Sequence, residues 1–495
     1  MIWLIIPICN FILQSYPRFF NKLFGVDVWT RLLEIDHVRK NHHRIPTEKL
    51  SGQFLVEGYF DYPPVFPTLM SFIPKKTLLH IQGFIAPFFD SLQVVLVYYV
   101  AIYITNNHNI ALISQLVYML TPMIAIENSY LTPRSLGYLN FSLATIFLLM
   151  YMYNGEVWVL GVVGVVWTML LFLTHRFALQ SFFFITIFFT LYLKTLIFAG
   201  AFGLGLLGSL VITRGYYLRV LKGHISNIHF WVKNLDYRYA HQVRGLVKKE
   251  TKADLVNVIY TLMSVFSPVA LFGMNPWAVG GLGYVGLAYY KIITPLPILS
   301  LFAAWVIFFY ILGVIVMKVR YLMPIGEGYR YMEMATVPSA ILSTYILFEL
   351  IKTHYIGIVQ ILFVLLLVCN FILIIFFQFK TIIKDKNRSV TDDWVIMFDY
   401  INKMKTLPRI ICIPHQNTTM TIYHTKAQVL VNADNPGLMR LADFFPVIQK
   451  PLKEIAKKYN LTHVLINESF ATLAELKLSE KDVVFHAGGV KLVRL

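Results

Sequence analysis

The chain has 495 residues, 57% of them hydrophobic and only 14% charged, well short of the roughly one quarter charged in soluble domains. That excludes an ordinary soluble protein. The net charge of +17 raises nucleic acid as a partner, but the Lys and Arg sit in loops between apolar runs and in the tail. Anionic lipid head groups or phosphorylated substrates fit better, and no nucleic-acid partner is expected. Cys9, Cys369 and Cys412 are widely separated, which leaves neither a disulfide framework nor a zinc spacing.

The N-terminal MIWLIIPICNFIL lacks a basic start and a small-residue cleavage site. It predicts a retained first helix, short and tilted or extended by Leu13 to Phe20. A long loop over 14–77 follows. Further apolar segments run over 78–103, 109–126, 136–153, 157–173, 177–212, 255–274, 277–290, 293–317, 336–353 and 356–378, so the pattern predicts about eleven crossings. Two segments are open: 177–212 reads as one tilted helix or as two split near Lys194, and the glycine-rich 277–290 need not cross. Residues 1–380 are thus read as a membrane domain with outer loop 14–77, and 381–495 as a small soluble α/β domain on the outer side. In that tail RIICI and THVLIN read as strands flanking a helix in PLKEIAKKYN, where Leu452, Ile455 and Ala456 form one stripe.

With a cytoplasmic N-terminus and 177–212 crossing once, the loops 14–77, 127–135, 174–176 and 318–335 and the tail share one side, while 213–254, with nine Lys and Arg, falls on the cytoplasmic side, as the positive-inside tendency prefers. The 14–77 loop is basic as well, but long loops escape the rule.

On the outer side four charged clusters recur. The first, GVDVWTRLLEI, places Asp27, Arg31, Glu34 and Val38 at helical spacing, so the three charged groups share one helix face. Partial desolvation and a neighbouring Arg act on such a carboxylate in opposite directions, leaving a proton acceptor at the water–lipid boundary; a solvated Asp27/Arg31 pair is the competing reading. Asp61 and Tyr62 precede Pro63 and Pro64, which hold the re-entry to the membrane stiff. The second cluster, ENSYLTPRSLG, carries Glu127 and Arg134, and its Thr132-Pro133 also reads as a plain helix start. The third, LTHRFALQ, interrupts an apolar run with His175 and Arg176, and ionisable groups beside spans mark pathways or sites. The fourth, GEGYRYMEM, holds Glu327, Arg330 and Glu333, where i,i+3 pairing of Arg330 with either acid is the structural alternative. Arg134, Arg176 and Arg330 offer planar forks suited to phosphate oxygens. With a carboxylate base they suit inverting transfer of a sugar from a lipid phosphate.

The order D-x-W-x-R-L-x-E, DYPP, SYLTPRSLG, LTHR and GEGYRYMEM resembles the multi-spanning GT-C glycosyltransferases, which use polyprenyl-phosphate-linked sugars; the layout covers roughly residues 1–340. It is similar to dolichyl-phosphate-glucose glucosyltransferases and to protein mannosyltransferase-like and aminoarabinose-transferase-like members. The resemblance implies a general base at Asp27, a second acid at Asp61, and donor or acceptor contacts from Arg31, Glu34, Tyr62, Glu127, Arg134, His175, Arg176, Glu327, Arg330 and Glu333. Its implied partners are a polyprenyl-phosphate sugar donor, a lipid, glycan or protein acceptor, and membrane lipids, with the active site on the outer face of a prokaryotic cytoplasmic membrane. The tail has no WWDYG, the oligosaccharyltransferase signature, which speaks against transfer of whole oligosaccharides to asparagine. A divalent metal, Mg or Mn, held by Asp27, Asp61 and Glu127 stays open. The alternatives are a flippase for lipid-linked saccharides, for which no matching halves are found, and a noncatalytic scaffold.

Overall fold

In a computed structural model, residues 2–154, 157–246, 267–352 and 356–495 are described. The chain divides into two compact units: a helical unit of Met1–Lys22, Ile81–Gly215 and Thr251–Lys384, and an α/β unit of Leu23–His80, Tyr216–Glu250 and Asp385–Leu495.

Among the described residues four helices are long and apolar enough to cross a membrane, Lys75–Thr105, Arg134–Tyr153, Pro297–Lys318 and Gly357–Ile383, and Trp158–Phe172, Arg176–Tyr192 and Thr336–Ile351 are shorter apolar helices. By length and composition among the described residues, the predicted count of about eleven crossings is not reproduced, because several apolar runs break into short pieces. Pro122 ends the run 109–126 as one helix by removing a backbone donor, so it folds as His108–Met119 and Pro122–Glu127. The run 277–290 contains the 11-residue helix Val279–Tyr289, and of the predicted 255–274 crossing, residues 255–266 lie outside the described residues. Lys194, with φ +52°, separates Arg176–Tyr192 from Ile197–Ile212, so 177–212 is two helices.

Polar anchors align this unit. The buried Asp90 accepts from Asn10 Nδ2 (3.0 Å), Gln14 Nε2 (2.6 Å) and Tyr118 Oη (2.8 Å), tying Ile5–Ser15 to two other helices. Such a group is costly in a low-dielectric interior unless its hydrogen bonds are made. Gly313 lets Pro297–Lys318 approach the site loop, since a Cβ there would stand 2.8 Å from Gly328 O.

The α/β unit is built on a six-stranded sheet, in the order Phe54–Val56, Gln428–Asn432, Arg409–Ile413, His463–Asn467, Val490–Arg494, Val483–Ala487. The first four strands are parallel and the last two pair antiparallel. Ile411, Ile413, Leu430, Val464 and Ile466 fill its core with Leu452 and Ile455 of the helix Leu452–Tyr459, as the tail's pattern predicts. The long loop is part of this fold: Phe54 pairs with Val429.

The assignment of 213–254 to the side opposite the tail is overturned for its described part. Gln242 Oε1 accepts from His415 N (2.8 Å), Gln242 Nε2 donates to Phe444 O (3.1 Å), and Arg244 pairs with Glu475 at 2.6 Å, so this segment and the tail lie on one side. The split at Lys194 removes the premise of that assignment, a single helix over 177–212.

Candidate functional site

Three of the four charged clusters gather at one end of the helical unit. Arg134 opens the helix Arg134–Tyr153, its backbone N–H donating to Thr132 Oγ1 at 3.3 Å, so the Thr-Pro start signal acts one residue later than predicted. The buried Arg134 guanidinium pairs with Glu127 and lies 4.0 Å from Glu333 Oε1. One turn on, Tyr138 donates its hydroxyl to Glu333 Oε2. Glu327 pairs with Arg330 at 2.6 Å and accepts from the Tyr329 hydroxyl at 2.9 Å, so of the two pairings open to Arg330 the structure takes Glu327. Burial and Arg134 oppose the charge on Arg330, but Tyr329, Glu327 and Glu127 outweigh them and hold its pKa above the usual value.

His175 comes to the same end. Its Nδ1 caps the helix Arg176–Tyr192 by accepting from Ala178 N at 3.2 Å, and its ring meets Tyr138 edge-on at 5.9 Å. Gly137 is required here because a Cβ would strike His175 Cβ. Gln180 Nε2 donates to Ile325 O and Tyr331 Oη, both at 2.5 Å, joining this helix to the segment that carries Arg330. Arg176 occupies the first position of that helix.

Glu333 is 1% exposed, and its Oε1 has no hydrogen-bond partner among the described residues. Burial pushes its pKa up to about 8 against the pull of Arg134, with Glu127 adding to the rise. The folded chain therefore favours the protonated, neutral acid. The stability this contributes is fully present below the ordinary glutamate range and is lost as pH rises through about 8. The thermal midpoint of the detergent-purified protein is expected to fall between pH 7 and pH 9, and Glu333→Gln to flatten that fall. An unchanged pH slope in the variant would remove Glu333 as its source.

In the α/β unit Asp27 is exposed in the first turn of the helix Val26–Lys40, where a carboxylate is favoured by the helix dipole. Arg31 pairs with Glu34 at 2.5 Å and stacks its guanidinium over Tyr62, 3.8 Å from the ring centroid. Burial opposes the Arg31 charge, yet Glu34, Tyr62 and Asp27 prevail and raise its pKa. The Tyr62 carbonyl accepts from the Tyr216 hydroxyl at 2.7 Å. Asp61 is buried, and its carboxylate accepts from Asn435 N at 2.9 Å and from Asn435 Nδ2 at 3.1 Å. This acid ties the loop to the tail.

Sequence reasoning missed Tyr138, Tyr329 and Asn435. Tyr138 was accessible from its i+4 spacing to Arg134 and Tyr329 from its place inside GEGYRYMEM, whereas nothing in sequence links Asn435 to Asp61. Of the acids named for a divalent metal, Asp61 accepts from Asn435 and Glu127 pairs with Arg134, and among the described residues no three His, Cys, Asp or Glu side chains gather.

No family model and no curated protein sequence matches the chain. Solved structures do match, and they give it the GT-C fold of membrane glycosyltransferases that the sequence resemblance implies. The Archaeoglobus fulgidus oligosaccharyltransferase, in complex with Zn and sulfate, aligns at 13% identity and a TM-score of 0.60, over 98% of this chain and 71% of that one. The oligosaccharyltransferase AglB from the same organism, in complex with an inhibitory peptide and a dolichol-phosphate, aligns at 12% identity and 0.58, over 100% and 74%. ArnT from Cupriavidus metallidurans matches almost end to end, 98% of this chain and 96% of that one, at 12% identity and 0.56, and has also been solved bound to undecaprenyl phosphate.

Proposed function

We propose that this chain is an inverting GT-C glycosyltransferase that moves a sugar from a polyprenyl-phosphate donor to an acceptor hydroxyl, at the outer face of a prokaryotic cytoplasmic membrane. The observation that carries the reading is the convergence of Arg134 and Arg330, with His175 and Arg176, at one end of the helical unit. The fold shared with transferases solved with dolichol-phosphate and undecaprenyl phosphate supports the donor class.

In the reaction the acceptor oxygen attacks the anomeric carbon, Asp27 takes the acceptor proton, and the anomeric C–O bond breaks with its electron pair leaving on the polyprenyl phosphate. Arg134 and Arg330 offset the charge gathering there. Each is held at rest by an acid, Glu127 or Glu327, so a phosphate enters by replacing a carboxylate partner rather than by recruiting a free cation. Glu333, neutral below about pH 8, adds no further negative charge beside Arg134. The test is sugar transfer from a synthetic polyprenyl-phosphate donor by protein reconstituted in liposomes. Transfer abolished by Asp27→Asn supports the reading, and a wild-type protein that moves the intact lipid across the bilayer without cleaving it would make this a flippase.

A further inference from the structure

Within the helical unit, Ile5–Ser15 and the helical turn Pro17–Phe20 that follows it pack along the span Gly357–Ile383. Leu13 meets Ile374, Gln378 Nε2 donates to Leu13 O at 3.0 Å, and Asn21 Nδ2 donates to Ile382 O at 2.8 Å. Between these ties lies an apolar groove of about 570 Å³, with Tyr16 and Phe20 on one wall and Phe371, Phe376, Phe379 and Ile383 on the other. It faces lipid. Across its most apolar stretch only 11% of Gly357–Ile383 is buried, against 44% to 72% in the other three long spans, and Phe20, Ile372 and Phe376 are exposed.

Two cations stand over the rings that form the second wall. Lys384 Nζ lies 4.6 Å from the centroid of Phe379 and Lys380 Nζ 6.0 Å from that of Phe376, and both lysines are exposed. Among the described residues neither pairs with an acid and no Asp or Glu lines the groove, while Asp385, the next residue along, is held by Arg388 at 2.6 Å. From Phe371 to Lys380 the helix rises about 14 Å at roughly 1.5 Å per residue, the depth of one leaflet of a hydrocarbon core about 30 Å thick. A trough one leaflet deep with unopposed positive charge at one end is complementary to a lipid with an anionic head.

The geometry points to a binding site for one anionic diacyl phospholipid of the surrounding bilayer, its phosphate on Lys380 and Lys384 and its tails along the aromatic walls. A polyprenyl phosphate shares the chemistry of phosphate and apolar tail, but its tail is much longer than one leaflet, and neither Arg134 nor Arg330 lines this groove. The inference does not rest on the transferase reading. It does bear on the site, because Gln378 also donates to Ala125 O at 3.1 Å, so the helix that carries the lipid also holds the segment that carries Glu127.

The test is native mass spectrometry of the full chain, purified in detergent and titrated separately with phosphatidylglycerol, phosphatidylcholine and undecaprenyl phosphate. The expected result is one phosphatidylglycerol per chain, held about thirtyfold more tightly than phosphatidylcholine, the scale of two surface lysines. Replacing both, as Lys380→Gln with Lys384→Gln, is expected to abolish that preference and leave undecaprenyl phosphate binding unchanged; both positions are exposed, so the variant folds. Ile372→Trp, at an exposed position lining the groove, fills the trough and is expected to release phosphatidylglycerol with the lysines still in place. Equal binding of the two phospholipids, or phosphatidylglycerol binding that either variant leaves unchanged, overturns the site. Undecaprenyl phosphate lost together with the lysines overturns it too, by giving the groove to the donor's tail. A wild-type chain that binds phosphatidylglycerol but no undecaprenyl phosphate would count against the transferase reading and leave the phospholipid site standing.

Discussion

Asp27→Asn is expected to lower the rate of sugar transfer by roughly 10²- to 10⁴-fold, the range a positioned general base supplies, while donor affinity and thermal midpoint stay at their wild-type values. The structure makes this substitution clean. Asp27 is exposed, whereas its neighbours are already committed, Arg31 to Glu34 and to the face of Tyr62. The change keeps the side-chain shape and removes only the charge that accepts the proton. In kinetic terms kcat falls and the donor KM holds, because the interaction lost is one made in the transition state. Full transfer by a well-folded Asp27→Asn protein would remove the base assignment.

Arg134 predicts the second large effect. Arg134→Ala removes the guanidinium that pairs with Glu127 and stands 4.0 Å from Glu333 Oε1. Breaking a buried pair this way costs about 3–5 kcal/mol, so this variant is expected to unfold at markedly lower temperature. Arg134→Lys separates fold from function: it retains a positive charge against Glu127 but loses the planar fork that grips two phosphate oxygens. It is expected to fold and to raise the donor KM by about tenfold or more, the scale of a lost charge-assisted hydrogen bond. A donor KM unmoved in Arg134→Lys would place the donor phosphate elsewhere.

Much of this arrangement is legible in the chain because it rests on local signals. The spacing of Asp27, Arg31 and Glu34 sets one helix face, and His175 interrupting an apolar run marks a helix end, which the structure makes a cap. The strands and helix of the tail follow from alternation and a single apolar stripe. What resisted reading depends on contacts between distant segments. The strand Phe54–Val56 joins the tail's sheet through Val429, and Asp61 meets Asn435 374 positions away, although the DYPP sequence by itself reads as a stiff turn beside an acid. The sidedness of 213–254 turned on a single break at Lys194, a position where a lysine takes a backbone conformation that sequence patterns do not favour.

The most direct test of the account is native mass spectrometry of the purified full chain titrated with undecaprenyl phosphate. One bound lipid per chain in the wild type, kept by Asp27→Asn and lost on replacing Arg134 and Arg330 together by lysine, is the predicted result. A chain that takes up no polyprenyl phosphate, or that holds it equally well without those two arginines, would contradict the claim that this end of the helical unit is built for a lipid-phosphate sugar donor.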